Sequence, residues 1–262
     1  MKISHEVPIV LLEDSLKFND YLFCLPHLMD ESEEYRNFFL KAKKEGWYII
    51  MDNSLHELGE AYNSERLLYW LETLKPSEFI VPDVWKDYQS SVVNARRWKC
   101  DYLKDFSLET TLVAVVQGDN LHEVSECYKE YKELGFEKIA FTYGLPYYNQ
   151  LCPHPNVDMG KALGRIYTIS VLNNEGIISS HDRIHLLGCA VPQEFSWYDG
   201  FNFIESIDTS NPIMAALDEK LYINGLKKKP LSNLNSTQWL KDFTSHQRKL
   251  IDINTQEFKR LI

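Results

Sequence analysis

Short β-branched or apolar runs alternate along the chain with longer amphipathic stretches, the pattern of strands joined by helices. Pro8–Leu12 reads as a first strand and Glu31–Lys44 as the helix after it. Trp47–Met51 predicts a strand ending at Asp52, and Glu60–Leu74 a helix with Leu67, Leu68 and Leu71 on one face. Phe79–Val81 leads into Pro82 and Asp83, followed by a helix over Asp87–Leu103. Thr111–Val116 is a buried strand ending at Gln117 and Gly118, and Leu121–Leu134 an amphipathic helix closed by Gly135. Lys138–Thr142 predicts a strand running into Tyr143 and Gly144. Beyond the Pro-rich loop Leu145–Pro155 come a helix over Met159–Asn173 and a strand over Arg183–Leu187 ending at Gly188. Phe203–Ile207 then predicts a strand ending at Asp208, and Asn211-Pro212 opens the next helix. Leu221–Ile223 carries the thinnest strand signal, and Ser236–Leu250 is the last long helical stretch.

Alternation at this pitch implies parallel strands joined by helical crossovers. Seven or eight such units in 262 residues predict an α/β fold, a TIM-type (β/α)8 barrel formed by one domain over residues 1–262, with a basic helical tail from about residue 220. An open doubly wound sheet is the alternative, but no GxGxxG follows the first strand. No internal repeat and no linker divides the chain.

Net charge is −10, which argues against nucleic-acid binding if taken alone. Its distribution changes that picture. From Lys220 onward nine Lys/Arg face three Asp/Glu, a local +6 that leaves −16 on the first 219 residues. A solvated terminal helix and a phosphate-binding arm both account for this tail. The five cysteines are scattered and contain no CxxC pair, which excludes a disulfide framework and a thiolate zinc cluster as expectations. Cys152 and His154 offer two ligands with nothing beside them to complete a tetrahedron, so no metal is expected there. The apolar run Ile9–Leu12 is too short for a signal peptide or a membrane span, so a soluble cytoplasmic protein without a membrane partner is expected.

The candidate chemistry lies in what ends each strand. Asp52, Asp83, Gln117, Gly144, Gly188 and Asp208 all fall at predicted C-terminal strand ends, which in a barrel converge on one mouth. A single strand-end aspartate is ordinarily a helix N-cap. Three carboxyls and an amide brought together would repel one another unless a ligand used them. Two carboxyl groups facing an anomeric carbon suit glycosyl transfer, one attacking C1′ and the other moving the proton. Gln side chains and backbone amides suit the edge of a flat heterocycle.

The segments Ile50-Met-Asp-Asn-Ser54, Val81-Pro-Asp83, Val115-Val-Gln-Gly118, Tyr143-Gly-Leu145, Leu186-Leu-Gly188 and Ile207-Asp208 resemble, in order and spacing, the active-site motifs of the tRNA-guanine transglycosylase family. The resemblance covers roughly residues 47–212. It implies that Asp208, matching the family's aspartate after the seventh strand, attacks the ribose and that Asp52 is the general acid/base. It further implies that Asp83 and Gln117 recognise a guanine or 7-deazaguanine base, and that Gly144 and Leu145 line the base pocket with their backbone. Tyr143 and Gly188 belong to the same base-binding segments.

The chain departs from the family in three places. The first motif is DNSLHELGE, so the loop after Asp52 is rebuilt. Tyr143 stands where the family has glycine, and the Cys-x-Cys-x-x-Cys…His zinc site is absent, since no cysteine follows Cys189. A compact zinc-free relative resembles the virus-encoded branch that inserts 7-deazaguanines (queuine- or preQ0-like bases) into DNA. The resemblance thus favours DNA over tRNA as partner, the host cytoplasm as location if the chain is viral, and no cofactor; it leaves homodimerisation open. A metal-dependent barrel hydrolase and a catalytically silent nucleic-acid-binding relative fit the same residues.

Several other side chains have two readings. His56 and Glu57 line the pocket or sit on a surface loop. Tyr143, Tyr147 and Tyr148 stack on a base or pack beneath the Pro-rich loop. His181 is expected in a loop and His185 in the core or pocket wall, and Trp85 covers the mouth or packs a helix.

Overall fold

The computed structural model describes residues 1–104, 109–189, 191–222 and 240–262. Eight strands form one sheet: β1 (Lys2–His5), β2 (Leu22–Cys24), β3 (Ile49–Met51), β4 (Glu78–Ile80), β5 (Thr111–Val116), β6 (Lys138–Thr142), β7 (Arg183–Leu187) and β8 (Ile204–Thr209). Their order is β1-β8-β7-β6-β5-β4-β3-β2, and every ladder is parallel. Helices alternate with them: α1 (Glu33–Lys44), α2 (Ser64–Leu74), α3 (Tyr88–Arg97), α4 (Leu121–Glu133), α5 (Val157–Asn174), α6 (Asn211–Leu217) and α7 (Ser245–Lys259). The fold is the expected single-domain (β/α)8 barrel, nearly closed.

The barrel departs from full closure at the seam between β1 and β2, where side chains replace a ladder. Asn19 Oδ1 accepts from His5 N at 2.6 Å, and Asn19 Nδ2 donates to His5 O at 3.0 Å. Asp20 N donates to Ile3 O at 2.8 Å while Asp20 Oδ2 accepts from Ile3 N at 3.0 Å. The backbone groups of β1 that would otherwise be exposed edge donors and acceptors are thereby satisfied.

Strands β5, β6 and β7 have the predicted bounds, because continuous β-branched runs such as Thr111–Val116 are buried on both faces. The first unit is different. Pro8–Leu12 is a turn of 3-10 helix (Ile9–Leu11) passing into a short helix at Leu12, closed by Leu11 N donating to Pro8 O at 2.8 Å. Pro8 supplies the fixed φ that starts such a turn. The true first strands, β1 and β2, are four and three residues long, too short for an alternation signal to emerge. Leu221 and Tyr222 are not a strand, and Ile223 lies outside the described residues. The eighth strand is instead supplied by β1.

The helix expected over Glu31–Lys44 is broken at Ser32, whose hydroxyl caps α1 by accepting from Tyr35 N. The last helix is α7, later than expected, because Thr244 and Gln247 form a reciprocal capping box at its start. Of the basic tail, residues 223–239, with Lys227 to Lys229, lie outside the described residues. Arg248 and Lys259 are both ion-paired on the barrel surface, with Asp14 and Asp20.

A charged cluster closes the N-terminal end of the barrel. Lys138 is 1% exposed and Glu78 0%, and they pair at 2.8 Å. Glu78 also accepts from Tyr48 Oη at 2.6 Å and from Arg183 at 3.1 Å. A buried charge pair of this kind stands only when its remaining polar atoms are bonded, as they are here.

Close packing is tightest where the helix Tyr147–Leu151 crosses α5. A Cβ built on Gly164 would lie 2.4 Å from Tyr148 O and 2.5 Å from Tyr148 Cα, both backbone atoms unable to yield. Gly164→Ala is therefore expected to destabilise the fold by about 1–3 kcal/mol through overpacking, read as a lowered denaturation midpoint with unchanged slope. An unshifted midpoint would show that the two helices are not locked at this distance.

Candidate active site

The C-terminal strand ends converge, as the barrel requires, on one cavity of about 180 Å³. Asp52, Asp83, Gln117, Tyr143, Gly188 and Asp208, all singled out in the sequence, line it. Glu6, Glu57, His56 and Trp85 line it as well. Two anticipated residues do not. Leu145 is fully buried in the hydrophobic core, and Gly144 packs against the Trp85 ring, its missing Cβ 3.2 Å from Trp85 Cζ2. Their backbone is therefore not a cavity wall in this conformation.

Asp208 sits near the end of β8, buried, with three neighbours. His185 Nε2 meets its Oδ1 at 3.0 Å, and Gly188 N donates to the same oxygen at 3.3 Å. Glu6, one residue beyond β1, completes the group: its carboxyl faces the same cavity, close enough for the Asp208 charge to act on it. The Gly188 donor is fixed by backbone geometry. Gly188 has φ +68, and a Cβ there would lie 2.4 Å from Tyr143 Cδ1, so only glycine fits beneath that ring. The turn is held from outside the barrel by Arg165, fully buried, which donates to Leu187 O at 3.0 Å and Gly188 O at 3.1 Å while pairing with Glu194 at 2.6 Å.

Asp83 is gripped by two amides. Asn53 Nδ2 donates to its Oδ1 at 2.7 Å and Gln117 Nε2 to its Oδ2 at 2.6 Å. Gln117 Oε1 accepts from Lys86 N at 2.9 Å, so both ends of this amide are engaged within the protein and Gln117 orients Asp83. Asp52 Oδ2 accepts from Ser54 N at 2.8 Å in a turn that places Ser54 in the left-handed region at φ 61. The loop after Asp52 brings Glu57 back over the cavity, where its Oε2 is buried without a hydrogen-bond partner among the described residues.

No family model and no curated protein matches this chain at a significant level. The site therefore stands on its own geometry.

That geometry is electrostatically demanding. Five carboxyl groups line the cavity, and none of the described lining residues is lysine or arginine. Burial, then Asp208, Glu57 and Asp52, push the Glu6 carboxyl well above the usual range. Burial, then Glu57, Asp208 and Asp83, do the same to Asp52 against the opposing Ser54 bond. Glu57 is raised by burial and Asp208, partly offset by His56. Asp83 is pushed up to about 6 by burial, despite the Asn53 and Gln117 bonds. Like charges in low dielectric cannot all ionise, so protons remain on the site. Among the described residues, no group of three or more His, Cys, Asp or Glu is arranged to hold a metal ion. His154 Nδ1 is instead held in its loop by Asn156 N at 3.0 Å.

Around the rim, the His56 ring lies 5.8 Å from Trp85 and 6.2 Å from Tyr143. Tyr147 and Tyr148 pack in the core beneath the loop, away from the cavity. His181 is exposed in a turn. Pro212 stands in the first turn of α6. Two site groups escape a reading of the sequence. Glu6 is hidden because the apolar pattern points to Pro8–Leu12 as the first strand; with Lys2–His5 as that strand, Glu6 is the residue at its C-terminal end. His185 reads as core or pocket wall, and its bond to Asp208 has no sequence signature.

The raised Asp83 carboxyl has a consequence for stability. The folded protein retains a proton there between the ordinary value of 3.8 and about 6 that the unfolded chain has lost, so stability falls as pH rises through that window. The contribution is roughly 3 kcal/mol. In Asp83→Asn the slope of unfolding free energy against pH between 4 and 6 is expected to become correspondingly less negative. An identical slope in both proteins, measured by denaturant titration, would contradict the assignment.

Proposed function

We propose that this protein is a base-exchange transglycosylase that replaces guanine in a nucleic acid, DNA being favoured, with a 7-deazaguanine. The observation that carries the reading is the convergence of Asp52, Asp83, Gln117, Gly188 and Asp208, distant along the chain, on one cavity in which proton-holding carboxyls surround a carboxyl oriented by two nitrogens. Asp208 attacks C1′ of the target nucleotide. The C1′–N9 bond breaks with its electrons moving to guanine, and the departing base takes a proton from Asp52. The incoming base gives its N9 proton back to Asp52, attacks C1′, and releases the Asp208 carboxylate. The same pair of carboxyls serves both halves, as reversal of one chemical step requires.

Asp52 fits the acid role because burial and the neighbouring carboxyls raise it well above the usual carboxylate range. Asp83, fixed by Asn53 and Gln117, presents a carboxyl to the donor edge of a guanine-type base. The lining holds no lysine or arginine among the described residues, so the sugar and base enter while the phosphates stay at the rim. A target in a duplex therefore leaves the stack before reaction. The preference for DNA rests on the absence of the family's zinc-site cysteines after Cys189. No resident cofactor is called for by this chemistry.

Incubating the protein with guanine-containing oligonucleotides and labelled guanine is expected to exchange label into DNA and to yield a denaturant-stable protein–oligonucleotide adduct. Asp208→Asn is expected to abolish the adduct and lower exchange by at least about a thousandfold. Label entering tRNA but not DNA would reassign the substrate. No exchange into either would overturn the proposal, and turnover abolished by a chelator would point to a metal-dependent hydrolase.

A further inference from the structure

Behind Asp208 runs a buried polar chain that the exchange chemistry leaves unused. On β8, Ser206 and Asp208 are two residues apart and face the same side of the sheet, toward His185 of β7. Lys138 Nζ lies 2.9 Å from Ser206 Oγ, Ser206 Oγ 2.9 Å from His185 Nδ1, and His185 Nε2 3.0 Å from Asp208 Oδ1. All four side chains are buried. The His185 ring is held flat by Phe23, stacked at 6.1 Å with 15° between the planes.

Proton accounting along this chain has one fully satisfied solution. A lysine ammonium only donates, so Ser206 Oγ accepts from Lys138. The Ser206 proton then has His185 Nδ1 as its partner, which makes Nδ1 an acceptor and leaves the ring proton on Nε2, directed at Asp208. The opposite tautomer would set an Nε2 lone pair against Asp208 Oδ1 and leave the Ser206 proton without an acceptor. A doubly protonated ring would leave that Ser206 proton stranded as well. A buried unsatisfied donor costs about 1–3 kcal/mol.

We infer that Lys138 is a positioning residue that, through Ser206, fixes His185 as the Nε2–H tautomer and so supplies Asp208 with an oriented donor from behind the cavity. Glu78 in turn anchors Lys138, so the charged cluster at the closed end of the barrel reaches the chemistry at the open end. The catalytic meaning of Asp208 rests on the base-exchange reading; the tautomer does not.

Two-bond proton–nitrogen correlation on protein carrying 15N-histidine is the test. At neutral pH the His185 ring is expected to show a bare Nδ1 and a protonated Nε2. Ser206→Ala, a small change that spares the Lys138–Glu78 pair, is expected to abolish that pattern, and Ser206→Thr to retain it. In the exchange assay Ser206→Ala is expected to lower kcat about tenfold with KM unchanged, and Ser206→Thr to restore it. A protonated Nδ1 in the wild-type protein, or an unchanged ring in Ser206→Ala, would overturn the inference. A wild-type protein that exchanges no base would remove the functional reading alone, since the ring pattern is read without substrate.

Discussion

Five carboxyl groups enclosed at one end of a parallel barrel, with no lysine or arginine among the described residues that line their cavity, coexist only if protons stay with them. This constraint organises the rest of the site. Glu6 is pushed up by burial and by the Asp208 charge, and Asp83 takes both of its anchoring bonds from uncharged amides. The Lys138 ammonium reaches Asp208 only through two intervening side chains, Ser206 and His185. Placing that cation directly against Asp208 would form a plain ion pair and remove the proton-storing character of the cavity. The barrel separates the two requirements along its axis: charge pairing at the N-terminal strand ends, proton storage at the C-terminal ends.

The same constraint bears on what can enter. A phosphate group drawn into this cavity would add negative charge where carboxyls already compete for protons, whereas an uncharged sugar and a flat base with donor groups would find acceptors. The tilted rings of His56, Trp85 and Tyr143 form an aromatic rim at the opening. Gly188 ties this rim to the floor, since the absence of its Cβ admits the Tyr143 ring and its N–H reaches Asp208. One residue thus couples the width of the opening to the orientation of the carboxyl.

Much of this is legible in the chain. The long strands β5, β6 and β7 show as continuous apolar runs, and Asp52, Asp83, Gln117 and Asp208 emerge from the rule that a barrel's chemistry collects where its strands end. The features the chain does not reveal have physical causes. Strands β1 and β2 are held by neighbours and by the Asn19 and Asp20 side chains, so their four and three residues carry no periodicity of their own, and Glu6 disappears with them. The Gly144-Leu145 segment looks like a pocket wall in sequence, but Trp85 and the core claim it in space. Gln117 reads as a base contact, yet Lys86 N and Asp83 occupy both ends of its amide. The Lys138–Ser206–His185 chain joins three strands, and pairings of that range exist only after the sheet has formed.

The central claim is that the site stores protons on its buried carboxyls, and carboxyl-detected NMR on protein labelled at the Asp and Glu side-chain carbons measures this directly. The account predicts that Glu6 and Asp52 lose their protons at a higher pH than the solvent-exposed Glu and Asp side chains of the same protein, so that they are still protonated at a pH where those are ionised. Both groups ionising together with the exposed carboxyls would contradict it.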